Sequence, residues 1–430
     1  MAAIHFAPTH WLRWLALAAC VLLLAGCGQL LQLRSDILEG KNSITRFRGT
    51  VESPDCADCP MIIVALADIT GNRVQSYRVY EKPGDFVLAA PVDTRYILAF
   101  NDLNGDFEYQ PDEPAAWHEL QAHDGIALRR DDIRLLMRQP AASVPETLQI
   151  GNLFALRGAA LGLIGVQLGS DTTLDAPLFD PDIAGLGMWQ PIRFMKAGYA
   201  GIYFLEAYTP QKIPVLFIHG IGGSPRDFAS MINTLDRKKF QPWLLYYPSG
   251  LELPAMGGGV LGLLSALHLR YRFDSLHLVA HSMGGLVARG YLAACEEAEN
   301  CEYVRSFTSI SSPFGGDSAA QSGVDYSPVV MPVWKSLAPR SRFLQRLFAR
   351  PMPHGAPHYL LFGYRNTSRV RSDSSDGTVR LSSLLRPEAQ KQATALFGYD
   401  EDHESILESP DVHAHVGRIL LHHTPGYSGP

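Results

Sequence analysis

The chain predicts an α/β protein: a doubly wound, mostly parallel sheet preceded by a small all-β sandwich. Three observations predict it. Residues 275–280 end in Leu278-Val279-Ala280 and read as a buried strand. They pass through His281-Ser282-Met283-Gly284-Gly285 directly into an apolar helical pattern that starts at Leu286. Residues 213–218, Ile-Pro-Val-Leu-Phe-Ile, are a continuous apolar run of the kind found in strands buried on both faces. Residues 45–139 instead break into short alternating pieces separated by turn signals. At 430 residues the chain is comfortable for two domains, and with 47% hydrophobic residues it has material for a large core. Its net charge is −6 and it has no long basic run, which argues against a nucleic-acid partner.

Residues 1–26 read as an export signal. Arg13 precedes an apolar run at 14–25 that is short for a membrane span and ends Leu24-Ala25-Gly26-Cys27. Small residues abutting a cysteine resemble the lipobox of bacterial lipoproteins. That resemblance implies that Cys27 is acylated, becomes the mature N-terminus and anchors the chain in the cell envelope. Gly28 in place of aspartate implies the outer membrane. Several acyl chains on one cysteine suffice for stable anchoring. Residues 27–44 are expected to be a tether with some helical character. Cys20 falls in the leader, so Cys56, Cys59, Cys295 and Cys301 remain, an even number. In an oxidising compartment the local pairs Cys56–Cys59 and Cys295–Cys301 are the expected disulfides. The Cys-x-x-Cys at Cys56 also suits redox chemistry or zinc, but no second such pair exists, and its flanks look like a stapled loop.

Residues 45–140 are assigned to the sandwich. Strands are expected at 45–51, 61–68, 74–79, 85–89 and 96–101, with turns at Thr70-Gly71-Asn72 and Pro83-Gly84-Asp85. With Asp102-Leu103-Asn104-Gly105-Asp106 and Glu113-Pro114 they resemble the transthyretin-like or carboxypeptidase-regulatory type of module. The loop Asp102 to Asp106 puts oxygen ligands on alternate residues, as in half of a calcium site. A structural Ca2+ and an Asx-rich turn that binds nothing are equally open readings. No catalytic cofactor or metal is expected.

Residues 141–200 are expected to lie between the domains. Within them 153–168 read as a helix packed between the two, and 171–182 as loop. The catalytic domain is assigned to 201–430, with an early strand at 201–208. Ser282 sits where a strand must turn into a helix within a few residues. Such a cramped turn needs small neighbours and projects the hydroxyl outward. A serine hydroxyl is a weak nucleophile and needs a base held by a carboxylate. Residues 357–364 read as a strand followed by Ser375-Asp376-Gly377-Thr378-Val379. Residues 393–399 read as the next, followed by Asp400-Glu401-Asp402-His403. Asp376 and His403 thus fall beyond the carboxyl ends of successive strands, the edge at which parallel sheets bind ligands. Asp373, Asp400 and Asp402 are rival acids. His219 and His281 are rival bases, read as wall residues. The backbone N–H groups of Ile221 and Met283 are candidates for holding a developing oxyanion. Residues 317–357 leave the sheet as a lid-like insertion. Its apolar stripe, Leu344, Leu347 and Phe348 included, lines an acyl pocket, touches lipid, or packs on the domain's own core.

From about Tyr203 onward these motifs resemble the α/β-hydrolase superfamily, in its lipase-like and PGAP-like serine esterase branch. His219-Gly220-Ile221-Gly222-Gly223 resembles that branch's oxyanion motif, and Ala280-His281-Ser282-Met283-Gly284-Gly285 its nucleophile elbow. Ser311-Ser312-Pro313-Phe314-Gly315-Gly316 resembles its turn after the sixth strand, and the Asp376 and His403 segments its acid and base. The departures are Ala280 for glycine, Ser312 for threonine and Phe314 for histidine. The resemblance implies Ser282 as nucleophile, His403 as base and Asp376 as orienting acid, acting on carboxylic esters, above all lipid or acyl esters, through an acyl-enzyme. A transacylase uses the same machinery. A binding or assembly lipoprotein on a non-catalytic hydrolase scaffold is the reading from another class.

Overall fold

The structure is a computed structural model that describes residues 28–120, 129–141, 143–155, 166–298, 302–352, 356–366 and 374–426. It opens with helix α1 (28–43). Then come β1 (Ile44–Glu52), β2 (Met61–Leu66), β3 (Val74–Tyr80), β4 (Asp85–Pro91), β5 (Tyr96–Asn101), β6 (Ala115–Glu119) and β7 (Arg129–Leu136). These strands form two sheets, ordered β4-β1-β7 and β3-β2-β5-β6. The five strands expected from alternation are present. β6 and β7 are additional. Along β4, Phe86, Leu88 and Ala90 point inward between the sheets, where they meet Phe47 and Val51 of β1. β2, Met-Ile-Ile-Val-Ala-Leu, is buried at every position. Alternate residues Met61, Ile63 and Ala65 fill the sandwich core, whereas Ile62, Val64 and Leu66 belong to the core shared with the rest of the chain. A strand covered on both faces gains nothing from a polar side, which is why its sequence does not alternate.

The second unit is an eight-stranded sheet. Its elements are β8 (Gln167–Asp171), α2 (Pro181–Trp189), α3 (Pro191–Lys196), β9 (Gly201–Phe204), β10 (Ile213–Ile218), α4 (Ala229–Asn233), β11 (Phe240–Tyr246), α5 (Leu253–Tyr271) and β12 (Leu276–His281). They continue with α6 (Met283–Glu297), β13 (Val304–Ile310), α7 (Ser318–Tyr326), α8 (Pro332–Leu337), α9 (Arg342–Ala349), β14 (His358–Gly363), α10 (Leu381–Leu384), α11 (Pro387–Gln392), β15 (Ala395–Tyr399) and α12 (Pro410–His422). The strand order is β15-β14-β13-β12-β10-β11-β9-β8. Neighbours from β15 to β11 are parallel. β9 runs antiparallel to β11, and β8 runs parallel to β9.

Two expectations need correction. The sheet begins at Gln167, inside the stretch assigned between the domains, so residues 167–168 are strand, not the end of a helix. The described part of the expected helix is a single 3-10 turn, Leu153–Ala155; residues 156–165 lie outside the described residues. The segment expected as loop at 171–182 ends in the first turn of α2, where Pro181 occupies a position that needs no amide partner. Among the described residues no helix is long and apolar enough to cross a membrane.

The insertion after β13 carries α7, α8 and α9. The apolar stripe of α9 faces inward: Leu344, Leu347 and Phe348 are buried, with Phe314 edge-on to Phe348. Of the readings open for this stripe, packing on the domain's own core is the one observed. Cys56 and Cys59 form a disulfide, with Cα atoms 5.5 Å apart. Cys27 and Cys301 lie outside the described residues, and with them the expected lipidation site and the expected Cys295–Cys301 bridge.

Candidate active site

β12 delivers Ser282 into a turn that leaves almost no room. Ser282 adopts φ 52° and ψ −130°, a region costly for any residue with a side chain. Its N–H donates to the Ile310 carbonyl at 2.8 Å, and its carbonyl accepts from Gly285 N–H at 3.0 Å, so both ends of the strained residue are held. Helix α6 leaves the turn hard against β10. A Cβ at position 284 would collide with the Ile218 and His219 carbonyls, which explains glycine there. Ala280, by contrast, is a fully buried strand residue paired with Ile218 on one side and Ser309 on the other.

The loops after β14 and β15 bring the other two residues to this point. Ser282 Oγ donates to His403 Nε2 at 2.9 Å, and His403 Nδ1–H donates to Asp376 Oδ2 at 2.6 Å. Asp376 has no exposed surface. Its other oxygen accepts the N–H groups of Thr378 (3.1 Å) and Val379 (2.7 Å), and its carbonyl accepts His403 N–H at 2.8 Å. The acid is thus fixed by the turn that follows it and grips both backbone and ring of the histidine. Of its rivals, Asp400 pairs with Arg365, and Asp402 caps the turn at Glu404 and Ser405; Asp373 lies outside the described residues. Neither described rival bonds the His403 ring.

The two wall histidines are both buried. His281 Nε2–H donates to the His403 carbonyl at 2.8 Å, so it braces the segment carrying His403. Burial, and then the His403 charge, push its pKa down to about 3. His219 stacks on Tyr247 and gives its Nδ1–H to the Gly220 carbonyl at 2.8 Å; burial pushes it down to about 4. Both rings stay neutral at ordinary pH.

The loop after β10 is held by Asp227, expected as a cap, and by Ser249 and Tyr247, which the sequence does not single out. Ser249 Oγ accepts Gly222 N–H at 3.0 Å, Asp227 caps the Ser224 N–H, and Tyr247 O–H donates to the His219 carbonyl at 2.7 Å. Gly223 N–H turns back to the Gly220 carbonyl at 3.3 Å. Ile221 and Met283 N–H have no acceptor among the described residues. α2 lies across this loop: Gly187 O accepts Gly250 N–H at 3.1 Å, and the Met188 sulfur sits 3.3 Å from where a Cβ on Gly222 would lie. The signal for Ser249 was available, since it follows an apolar strand directly; that for α2 was not, because nothing in its own sequence names its neighbour. Ser282 is 7% exposed and His403 9%, so the centre opens only narrowly to solvent.

The loop from Asp102 to Asp106 uses its oxygens on its own backbone. Asp102 accepts Gly105 and Phe107 N–H, Asn104 accepts Asp106 N–H, and Asp106 accepts Glu108 N–H. Among the described residues no group of three His, Cys, Asp or Glu is arranged to hold a metal ion.

Residues 259–423, which include Ser282, Asp376 and His403, match the model of a family described as an alpha/beta hydrolase of unknown function (DUF915). No curated protein matches the chain. Solved structures similar to it include a Bacillus licheniformis lipase, BlEst2, in its mature form, at 18% identity over 50% of this chain and 94% of that one, with a TM-score of 0.40. The product of gene lin2722 of Listeria innocua is similar at 18% identity over 49% and 94%, with a TM-score of 0.37. An esterase, RhEst1, from a Rhodococcus species is similar at 15% identity over 52% and 94%, with a TM-score of 0.35.

Proposed function

We propose that this chain, a member of the α/β-hydrolase superfamily, is a serine hydrolase of carboxylic esters, with lipid or acyl esters as the favoured class. One observation carries the reading: an unbroken chain of hydrogen bonds, Ser282 to His403 to Asp376, built on a strained turn at the carboxyl edge of the sheet. Strain of this kind persists only where the surroundings impose it.

In the proposed reaction Ser282 Oγ attacks the ester carbonyl while His403 Nε2 takes its proton. Asp376 holds the ring in the tautomer that accepts at Nε2 and steadies the imidazolium that forms. Ile221 and Met283 N–H receive the developing oxyanion. His403 then gives the proton to the leaving alcohol, and water repeats the cycle on the acyl-enzyme. The chain acts from the bacterial cell envelope, anchored through an acylated Cys27 and oriented to the outer membrane, with the expected tether replaced by helix α1, which packs on the protein. Cys295–Cys301 is proposed as a second disulfide.

A fluorophosphonate probe tests the chemistry: labelling at Ser282, absent in Ser282→Ala, is expected. An unlabelled but folded protein would favour the binding-protein reading instead. Hydrolysis of p-nitrophenyl esters of graded length then reads the acyl preference, and an added alcohol acceptor separates hydrolase from transacylase. For the anchor, Cys27→Ser should leave the membrane fraction or accumulate as precursor.

A further inference from the structure

The insertion from Met331 to Arg350 contains Lys335, Arg340, Arg342, Arg346 and Arg350 and no acidic residue, in a chain whose net charge is −6. All five are exposed. Arg350 pairs with Glu297, but among the described residues the other four make no ion pair. Because the apolar face of α9 is spent on the core, what this segment offers outward is charge.

Its position is fixed by a run of direct contacts across one edge of the molecule. Gln190 Nε2 donates to Gln32 Oε1 in the first turns of α1 at 3.4 Å. Gly187 of α2 holds Gly250, and Gly250 O accepts Val333 N–H of α8 at 3.1 Å. α8 is pinned further by Ser336 Oγ on Leu253 N–H and by Leu337 O on Asp317 N–H. The start of α1, the strap over the oxyanion loop and the basic segment therefore border the edge that carries Ser282. Two side chains beside this border are exposed and apolar in body: Leu31 of α1 at 63% and Tyr326 of α7 at 84%. α7 is held to α8 closely enough that a Cβ on Gly323 would meet the Trp334 ring.

We infer that this edge is a docking surface for an anionic phospholipid bilayer, with Lys335, Arg340, Arg342 and Arg346 meeting the headgroups. The inference deepens the anchored ester-hydrolase reading and rests on it for where the membrane lies. α1 begins at the residue after Cys27 and is packed on the protein: Leu33 is fully buried, and Asp36 accepts Ile192 and Arg193 N–H at 2.8 and 2.9 Å. An anchor at Cys27 then brings the bilayer to this edge and not to the opposite one. Basic side chains near an anionic surface add attraction that salt screens, and an exposed tyrosine suits the headgroup level.

The test uses the full chain reconstituted into vesicles of phosphatidylcholine alone or with about one-third phosphatidylglycerol. Phenylglyoxal modification of individual arginines is followed by peptide mass mapping. On the anionic vesicles Arg340, Arg342 and Arg346 should react about tenfold more slowly or less, on the basis of several charges each held at the surface. High salt should restore their rates. Arg418, exposed beside Asp236 and Phe240 at the far edge, should react alike on both vesicles. Equal rates on the two vesicles, or slowing that includes Arg418 equally, overturns the inference. The triple variant R340E/R342E/R346E should lose the gain in vesicle-ester hydrolysis that phosphatidylglycerol confers while retaining hydrolysis of a short water-soluble ester; an undiminished gain overturns it as well. Protection of the arginines is read without any hydrolysis, so a protein that docks but cleaves no ester counts against the proposed chemistry alone.

Discussion

His403 is the residue on which the most meets: its ring joins Ser282 to Asp376, its carbonyl takes the His281 ring and its N–H the Asp376 carbonyl. Serine and base act as one unit, so Ser282→Ala and His403→Ala should each lower kcat by about 10⁴–10⁶. Asp376→Asn should cost about 10⁴ or less, since the acid orients and carries no proton. Steady-state rates on one ester, with circular dichroism to show retained fold, check all three. Near-full activity in Asp376→Asn together with an essential Asp373, Asp400 or Asp402 would reassign the acid and leave the serine mechanism intact. A second residue-scale expectation concerns Glu113. Burial pushes its carboxyl up to about 7, against two backbone N–H bonds that pull the other way. Its folded pKa therefore lies above the unfolded one. Its contribution to stability is complete below about 4.5 and is lost as pH rises through about 7. Urea midpoints of the native protein and Glu113→Gln should show the difference between them moving against the native protein across that window. A difference that stays constant with pH would show that the carboxyl is not perturbed in the fold.

At the scale of elements, legibility followed how local the determinant was. Ser282 was visible because its turn is built from adjacent small residues. β10 was visible because a fully apolar run of six is a strand covered on both faces; β2 was expected as a strand, but its burial on both faces comes from packing against the second unit. β8 was not, since Gln-Leu-Gly-Ser-Asp acquires its partner only when β9 comes alongside. α5 shows no clear polar face, because it packs on α6 and also on β3 of the sandwich. Two substitutions test the fit between elements. Gly284→Ala places a methyl on the β10 carbonyls and should destabilise by about 1–3 kcal/mol with loss of activity. Asp36→Ala leaves the first amides of α3 unpaired and should cost about 1–2 kcal/mol. Chemical denaturation measures both. Limited proteolysis of Asp36→Ala should cut α1 first, and an α1 that stays protected would mean the carboxylate is not what holds it.

In the molecule as a whole the sandwich and the eight-stranded sheet do not sit as beads on a string. Ile62, Val64, Leu98 and Phe100 of the sandwich belong to one apolar cluster with the strands of the large sheet, and Arg78 Nη2 donates to Gly258 O of α5 at 3.2 Å. An interface that is apolar and continuous with both cores favours joint unfolding over independent domain motion. Urea unfolding followed by far-ultraviolet circular dichroism and by tryptophan fluorescence should give one coincident transition. Two separated transitions would show that the sandwich is an autonomous unit.

The sequence by itself determined the class of fold, the order of the strands that carry chemistry and the identity of the triad candidates. Each of these depends on residues close in the chain: a serine among small neighbours, a strand ending in glycines, an aspartate and a histidine just past their strands. Tertiary structure decided the rest. It chose Asp376 over Asp400 and Asp402 as the carboxylate that meets the His403 ring, turned the stripe of α9 inward, and laid α1 and α2 beside the edge that carries Ser282. Those outcomes are set by which distant surface becomes available to bury an apolar face or satisfy an amide, and no local pattern records the identity of that surface.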